Sequence, residues 1–310
     1  MQAILMLLTS SFLQAQPKLQ LLQSTPLPYF RNLTALEYHD KTVMAIGNDA
    51  TRIMLLNRQH TMLDTLQLFD YKSKPDKGLA PGGIQATAVV TLENKPVLLI
   101  MGSGQPRADK SDIWLFPLQS RHFSEVYIPS FAIPDFFKRM RKAGVKDINI
   151  EGAAAIGKRM VLANSANAKS SDNFLVVTEF DFWTNSWQVD LHLSKLELDG
   201  SGMTVSGLEY DKQQDVLLFS ATTVAHSKAD SKVQPQLGVV LNASRRINQR
   251  SIRPDYLFNV AQAIPEVVNQ TLQSICLEDD QAEKGGSILH LCASDPAGKC
   301  YIYKLSVKWN

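Results

Sequence analysis

The chain has 310 residues, of which 45% are hydrophobic and 20% charged, and a net charge of +2. That length and composition fit two average domains or one large all-β domain. The near-neutral balance supplies no positive field for nucleic acid, and no internal stretch is long and apolar enough to span a bilayer.

The first residues differ in kind from the rest. Met1 to Ala15 carry no charge, Ala3 to Leu8 is an apolar run, and Leu13-Gln14-Ala15 offers a cleavage site before Gln16. The pattern is that of a secretory signal peptide without its basic start; a buried N-terminal segment is the alternative. A mature domain of residues 16–310 is therefore expected in the periplasm or outside the cell.

From there a six-residue unit recurs five times. The copies are Leu33-Thr34-Ala35-Leu36-Glu37-Tyr38, Ile84-Gln85-Ala86-Thr87-Ala88-Val89, Ile150-Glu151-Gly152-Ala153-Ala154-Ala155, Val205-Ser206-Gly207-Leu208-Glu209-Tyr210 and Leu272-Gln273-Ser274-Ile275-Cys276-Leu277. They begin 51, 66, 55 and 67 residues apart, somewhat more than the usual span of a four-stranded propeller blade. Each is followed by a turn and a second apolar strand: Thr42–Ile46, Val97–Met101, Met160–Ala163, Val216–Phe219 and Ile288–Cys292. The turns hold Asp40-Lys41, Glu93-Asn94-Lys95, Gly157-Lys158, Asp211-Lys212 and Gly285-Gly286, residue types suited to hairpins. Third strands are expected at Ile53–Leu56, Ile113–Leu118, Phe174–Thr178, Gly238–Leu241 and Tyr301–Leu305. More polar fourth strands follow at Met62–Leu68 and Trp187–Leu193, the latter alternating with period two.

The last unit stops after its third strand, while Lys18-Leu19-Gln20-Leu21-Leu22 precedes the first unit without a partner. Pairing the two closes a ring and covers both edges. The fold read from the sequence is thus all-β: a closed β-propeller of five four-stranded blades. A sixth, degenerate blade inside the longer second or fourth unit is the alternative. Helical inserts at Pro134–Ala143 and Val260–Asn269, and a Pro/Gly-rich loop at Lys72–Gly83, all precede inner strands. Length variation concentrated on one face marks it as the expected binding surface.

Position two of each hexad is polar: Thr34, Gln85, Glu151, Ser206 and Gln273. In a closed ring these side chains converge at the channel mouth, where such groups fit a small-ligand site; a water-filled channel is the competing reading. Position three is always small, as crowding near the axis requires. The loops after the second strands carry Asn48 and Asn164, added to the expected ligand-binding set. Their oxygen-rich composition also suits Ca²⁺, with Glu151, Asp49, Asp112 and Asp172 as its carboxylates if a cation is bound, although turn preference alone produces such loops. The insert at Phe136–Lys142 is basic and aromatic, an anion-attracting patch or simply a solvated helix face. Cys292 and Cys300 flank an expected hairpin loop and are placed either to bridge or to fill the core with Cys276. No Gly-x-Ser-x-Gly, His-Glu-x-x-His or phosphate-cradling Gly motif is present, and none of the six histidines falls in a hexad.

Around Asn149-Ile150-Glu151-Gly152-Ala153 and Val205-Ser206-Gly207-Leu208-Glu209-Tyr210 the chain resembles the secreted bacterial propellers of the phytase-like and esterase-like group. That resemblance implies a calcium-assisted hydrolysis of phosphoesters or esters, with Glu151 helping to hold the ion. Only Glu151 matches the Glu-Gly step in full; Ser206 stands where a second Glu would be. The residues themselves favour a binding or interaction module for a small molecule or glycan, acting as a monomer, with the metal-assisted hydrolase as the alternative.

Overall fold

The computed structural model describes residues 17–28, 30, 32–48, 52–68, 83–104, 112–118, 130–166, 170, 172–198, 202–223, 233–280 and 286–309. Within them the strands form five sheets, one per hexad. The N-terminal strand β1 (Lys18–Leu27) stands apart from the first of these. The first blade is β2 (Leu33–His39), β3 (Thr42–Gly47), β4 (Arg52–Asn57) and β5 (Met62–Gln67). The second is β6 (Ile84–Leu92), β7 (Lys95–Gly102), β8 (Asp112–Pro117) and β9 (Ser130–Ala132), followed by helix α1 (Pro134–Ala143). The third is β10 (Ile150–Ile156), β11 (Arg159–Asn164), β12 (Asn173–Glu179) and β13 (Leu191–Leu196). The fourth is β14 (Met203–Asp211), β15 (Val216–Thr223), β16 (Gln234–Leu241) and, beyond helix α2 (Ala243–Arg246) and the short β17 (Ser251–Ile252), β18 (Tyr256–Asn259). The β17 segment runs parallel to β13 and ties the fourth unit to the third blade. The fifth blade is β19 (Thr271–Leu277), β20 (Gly286–Ser294) and β21 (Cys300–Lys308), completed by β1.

The molecule is a five-bladed β-propeller. The pairing of β1 with β21, from Lys18 opposite Lys308 to Leu27 opposite Cys300, closes the ring. The hexads form the inner strands β2, β6, β10, β14 and β19, each packed on the next around the axis. Among the described residues the strands form five blades and no sixth; the extra length of the second unit includes α1, and that of the fourth includes α2, β17 and two short 3₁₀ turns.

The apolar core is divided into five parts, one in each seam between blades. Leu99 and Met101 of β7 share one cluster with Leu162 of β11, Val161 one with Leu217, Leu218 one with Leu289, Ile302 one with Leu36, and Ile46 one with Leu98. Such strands are buried on both faces, which is why they read as continuous apolar runs. No blade has a core of its own.

Helix α1 spans the residues expected, with Phe136, Phe137 and Met140 buried and Lys138, Arg141 and Lys142 turned outward. Two expectations change. Residues 187–189 are not strand: the chain turns through 180–188, and β13 starts at Leu191. Burial of Phe182, Trp183 and Val189 against Phe136 fixes that turn, and tertiary packing overrides the local alternation. The insert at 260–269 forms 3₁₀ turns at Val260–Gln262 and Pro265–Val267, since Pro265 lacks the N–H a longer helix needs. Cys276, Cys292 and Cys300 are unbridged, buried thiols in the seam between the fifth and first blades. The expected signal sequence, Asp49 and most of the loop at 72–83 lie outside the described residues.

Candidate functional site

Each inner strand slips register against its neighbour at the same point, hexad position two. The shifts fall between Leu33 and Ala35, Ile84 and Ala86, Ile150 and Gly152, Val205 and Gly207, and Leu272 and Ser274. Thr34, Gln85, Glu151, Ser206 and Gln273 are therefore five equivalent bulge residues. A bulge leaves one residue unopposed and redirects its side chain. Within the protein, Thr34 Oγ1 donates to the Ile84 carbonyl at 2.9 Å, Ser206 Oγ lies 3.1 Å from Ser220 Oγ, and Gln273 Nε2 donates to Ser294 Oγ at 3.3 Å.

The neighbouring loop residues brace blades. The Asn48 carbonyl accepts from the Gly83 and Ile84 amides at 3.1 and 2.9 Å. Asn164 Oδ1 accepts from the Asn149 amide at 2.8 Å, and its Nδ2 donates to the Asp147 carbonyl at 3.1 Å. Asp172 pairs with Lys195 at 2.7 Å on the surface, and Asp112 opens β8. Among the described residues, no three His, Cys, Asp or Glu side chains are grouped so as to hold a metal ion.

At position three the inner strands touch backbone to backbone. A Cβ on Gly152 would lie 2.7 Å from the Leu208 amide nitrogen, and one on Gly207 would lie 2.9 Å from Ser274 Cα. Beyond this contact the strands diverge and enclose a cavity of about 1280 Å³ at their carboxyl-terminal ends. All five blades contribute to its wall. It lies at the opposite end of the inner strands from the bulge residues and is framed by the short hairpins, the turn at 180–181 and the α2 segment at 244–248, rather than by the inserts at 134–143 and 260–269.

The wall is uneven. Hexad position five reads Glu37, Ala88, Ala154, Glu209 and Cys276 around the ring. Small residues (Ala88 and Ala153 to Ala155) line the second and third blades, while Glu37 and Glu209 face the cavity from the first and fourth. Glu37 accepts from Thr87 Oγ1 at 2.6 Å and from the Val89 amide at 3.2 Å. It thereby serves an inner-strand N–H of the next blade that no further strand can reach. Glu209 Oε1 accepts from the Tyr210 amide at 3.0 Å.

Burial pushes the Glu37 carboxyl up to about 7, against the two hydrogen bonds that favour its charged form. Burial, and then the charge of Glu37, hold Glu209 well above the usual carboxylate range. The Cys276 thiol is raised by burial, then by Glu209 and Glu37. At the rim, burial and Asp280 raise Asp279. Glu179, Asp181, Asp211 and Asp279 there face Lys158, Arg159 and Lys212, while Glu278 is paired with Lys304 and Arg58. The interior is a place where a positive group is favoured and where carboxylates lack enough counter-charge.

The acidic pair was readable but falls outside the set picked from position two. Leu36-Glu37-Tyr38 and Leu208-Glu209-Tyr210 are the same three residues at the same repeat position. The bulge at position two reverses the alternation after it, so counting by twos from the hexad's start gives the wrong side.

A protein-family model described as "Family of unknown function (DUF6929)" matches residues 31–307. No curated protein matches the chain. Among solved structures, a glutaminyl cyclase of Myxococcus xanthus is 9% identical with a TM-score of 0.50, over 93% of this chain and 97% of that one. A tail fiber of Staphylococcus aureus phage P68 is 11% identical with a TM-score of 0.45, over 95% of this chain and 53% of that one. A protein of unknown function from Dyadobacter fermentans is 9% identical with a TM-score of 0.44, over 94% and 99%. At these identities the likeness is one of fold, and propellers host unrelated functions.

Proposed function

Since the chain belongs to DUF6929, a family without an assigned function, we propose a role from its own geometry: a binding module for a small organic cation, held in the axial cavity. The observation that carries this reading is a pair of carboxyls, buried Glu37 and half-buried Glu209, in the wall of a cavity of about 1280 Å³. Volumes of this order suit a small molecule, and a few placed polar groups fix its orientation. An ammonium or similar group between the two carboxyls supplies the counter-charge they lack, while the alanine wall accommodates its apolar part. The uncharged apolar N-terminal stretch supports a place outside the cytoplasm, and among the described residues no helix is long and apolar enough to cross a membrane.

The sign of the pH dependence follows. A cation favours the ionised carboxyls, so its binding releases protons near neutrality, and affinity rises as pH increases through about 7. The test is titration calorimetry with a linear diamine, a quaternary amine and a neutral sugar, in buffers of differing ionisation enthalpy. Amine binding with proton release, weakened about tenfold or more by Glu209→Gln, is the expected result. Sugar binding that is indifferent to Glu209→Gln would replace the cation with a neutral ligand.

A further inference from the structure

A second buried polar cluster lies where the ring closes. It joins β1, the turn between β4 and β5, the segment after β19, and strands β20 and β21. His60 Nε2 and His290 Nδ1 are 2.7 Å apart, with the rings edge to face at 4.9 Å. His290 Nε2 lies 3.0 Å from Glu278 Oε1, and His60 Nδ1 lies 2.9 Å from Thr25 Oγ1. Thr25 in turn accepts from Gln23 Nε2 at 2.9 Å, which also donates to the Gln59 carbonyl at 2.7 Å. His290 is fully buried and His60 nearly so.

The hydrogens follow from the chemistry of the ends. Glu278 is held ionised by Lys304, whose Nζ is 2.5 Å from Oε1, and by Arg58, whose Nε is 3.5 Å from Oε2. An ionised carboxylate only accepts, so His290 Nε2 carries a hydrogen. A neutral His290 then accepts at Nδ1 from His60 Nε2–H, and a neutral His60 accepts at Nδ1 from the Thr25 hydroxyl. Each slot is filled once, and the file ends on the strand that closes the ring.

The charges around it already balance. Glu278 and Asp280 face Lys304 and Arg58, while Tyr38 donates to Asp280 at 2.7 Å and accepts from Arg58 at 2.8 Å. One extra proton on the histidine pair makes His60 Nδ1 a donor, so that the Thr25 hydroxyl must turn from donor to acceptor, and leaves an added positive charge in a buried seam beside Lys304. A second proton puts two N–H groups face to face across 2.7 Å. Burying an unpaired charge is costly, whereas an opened seam hydrates it.

We infer that the seam between the fifth and first blades is an acid-released latch: neutral His60 and His290 hold the N-terminal strand β1 in place, and protonation of the pair frees it. Burial depresses the basicity of both rings; His290 and then Lys304 add to this at His60, while at His290 the hydrogen bond and charge of Glu278 oppose it without reversing it. A group so depressed contributes stability that is present above its ordinary range and is lost as pH falls below about 6.5.

The test is amide hydrogen exchange of the full chain at about pH 7.5 and about pH 5, corrected for intrinsic rates, the interval in which an exposed histidine takes up its proton. The expected result is a fall in protection of about tenfold or more, confined to residues 18–27 and 300–308, with β10 to β13 unchanged. In His60→Gln, whose amide still donates to His290 and accepts from Thr25 but takes no proton, the fall should shrink markedly. Protection at 18–27 that ignores pH, or a loss spread evenly over all five blades, would overturn the latch. So would an undiminished fall in His60→Gln. Should that variant not fold, the blade-by-blade comparison in the unaltered protein decides alone.

Discussion

Glu37 shows how one side chain serves fold and site together. Its oxygens take Thr87 and the Val89 amide, stitching the first blade to the second, yet burial makes its charge unfavourable. The folded protein therefore binds a proton there more tightly than the unfolded chain does. Between about 4.5 and about 7 the contribution of Glu37 to stability falls as pH rises, opposite in sign to that of His60 and His290, and it levels off above. The expected loss is on the order of 1–3 kcal/mol, below the full value because ligand-free carboxyls in a cavity keep some hydration. Urea unfolding across that window, with and without Glu37→Gln, checks it; a pH slope left unchanged by the substitution would assign the effect to another group. Asn173 is a second residue of this kind. Its Oδ1 accepts from the Ala166 and Val205 amides and its Nδ2 donates to the Met203 carbonyl, so one amide spans the third and fourth blades.

The inner strands explain why five different sequences share one pattern. Their inward edges have no further strand, and neighbouring side chains satisfy the freed amides: Ser274 Oγ accepts from the Leu36 amide at 3.2 Å and Thr222 Oγ1 from the Leu272 amide at 3.0 Å. Five blades leave a narrow axis, so position three must be small where strands abut. Gly152→Ala places a methyl 2.7 Å from the Leu208 nitrogen, and backbone cannot swing aside as a flexible side chain can. It is expected to cost about 2–4 kcal/mol, read as a lower urea midpoint with an unchanged slope. A neutral result would mean that the strands separate readily there. The small residues at this position were legible because close approach acts directly on side-chain size. The wall of the cavity was not, because the bulge that reverses the alternation leaves no mark in residue type beyond a polar side chain at position two.

At the scale of the ring, stability is shared among five seams, and none of the blades carries a core independent of its neighbours. One cooperative unfolding transition is expected. Deleting residues 18–27 should abolish it and yield aggregating protein, since β21 would lose its partner along its whole length. Light scattering and a thermal melt of that deletion test this; a monomeric protein with an unchanged melt would show that closure does not depend on β1. The repeats, hairpin turns and orphan first strand determined a closed propeller by themselves, because pairing partner and closure follow from local periodicity and from which strand lacks a mate; the structure decided five blades over six. Only the tertiary structure decided which end of the axis opens into a cavity, that Glu37 and Glu209 share it, and that His60 meets His290. Those pairings join residues about 170 and 230 positions apart, and their distance in space is set by the curvature of the closed ring, which no single segment encodes.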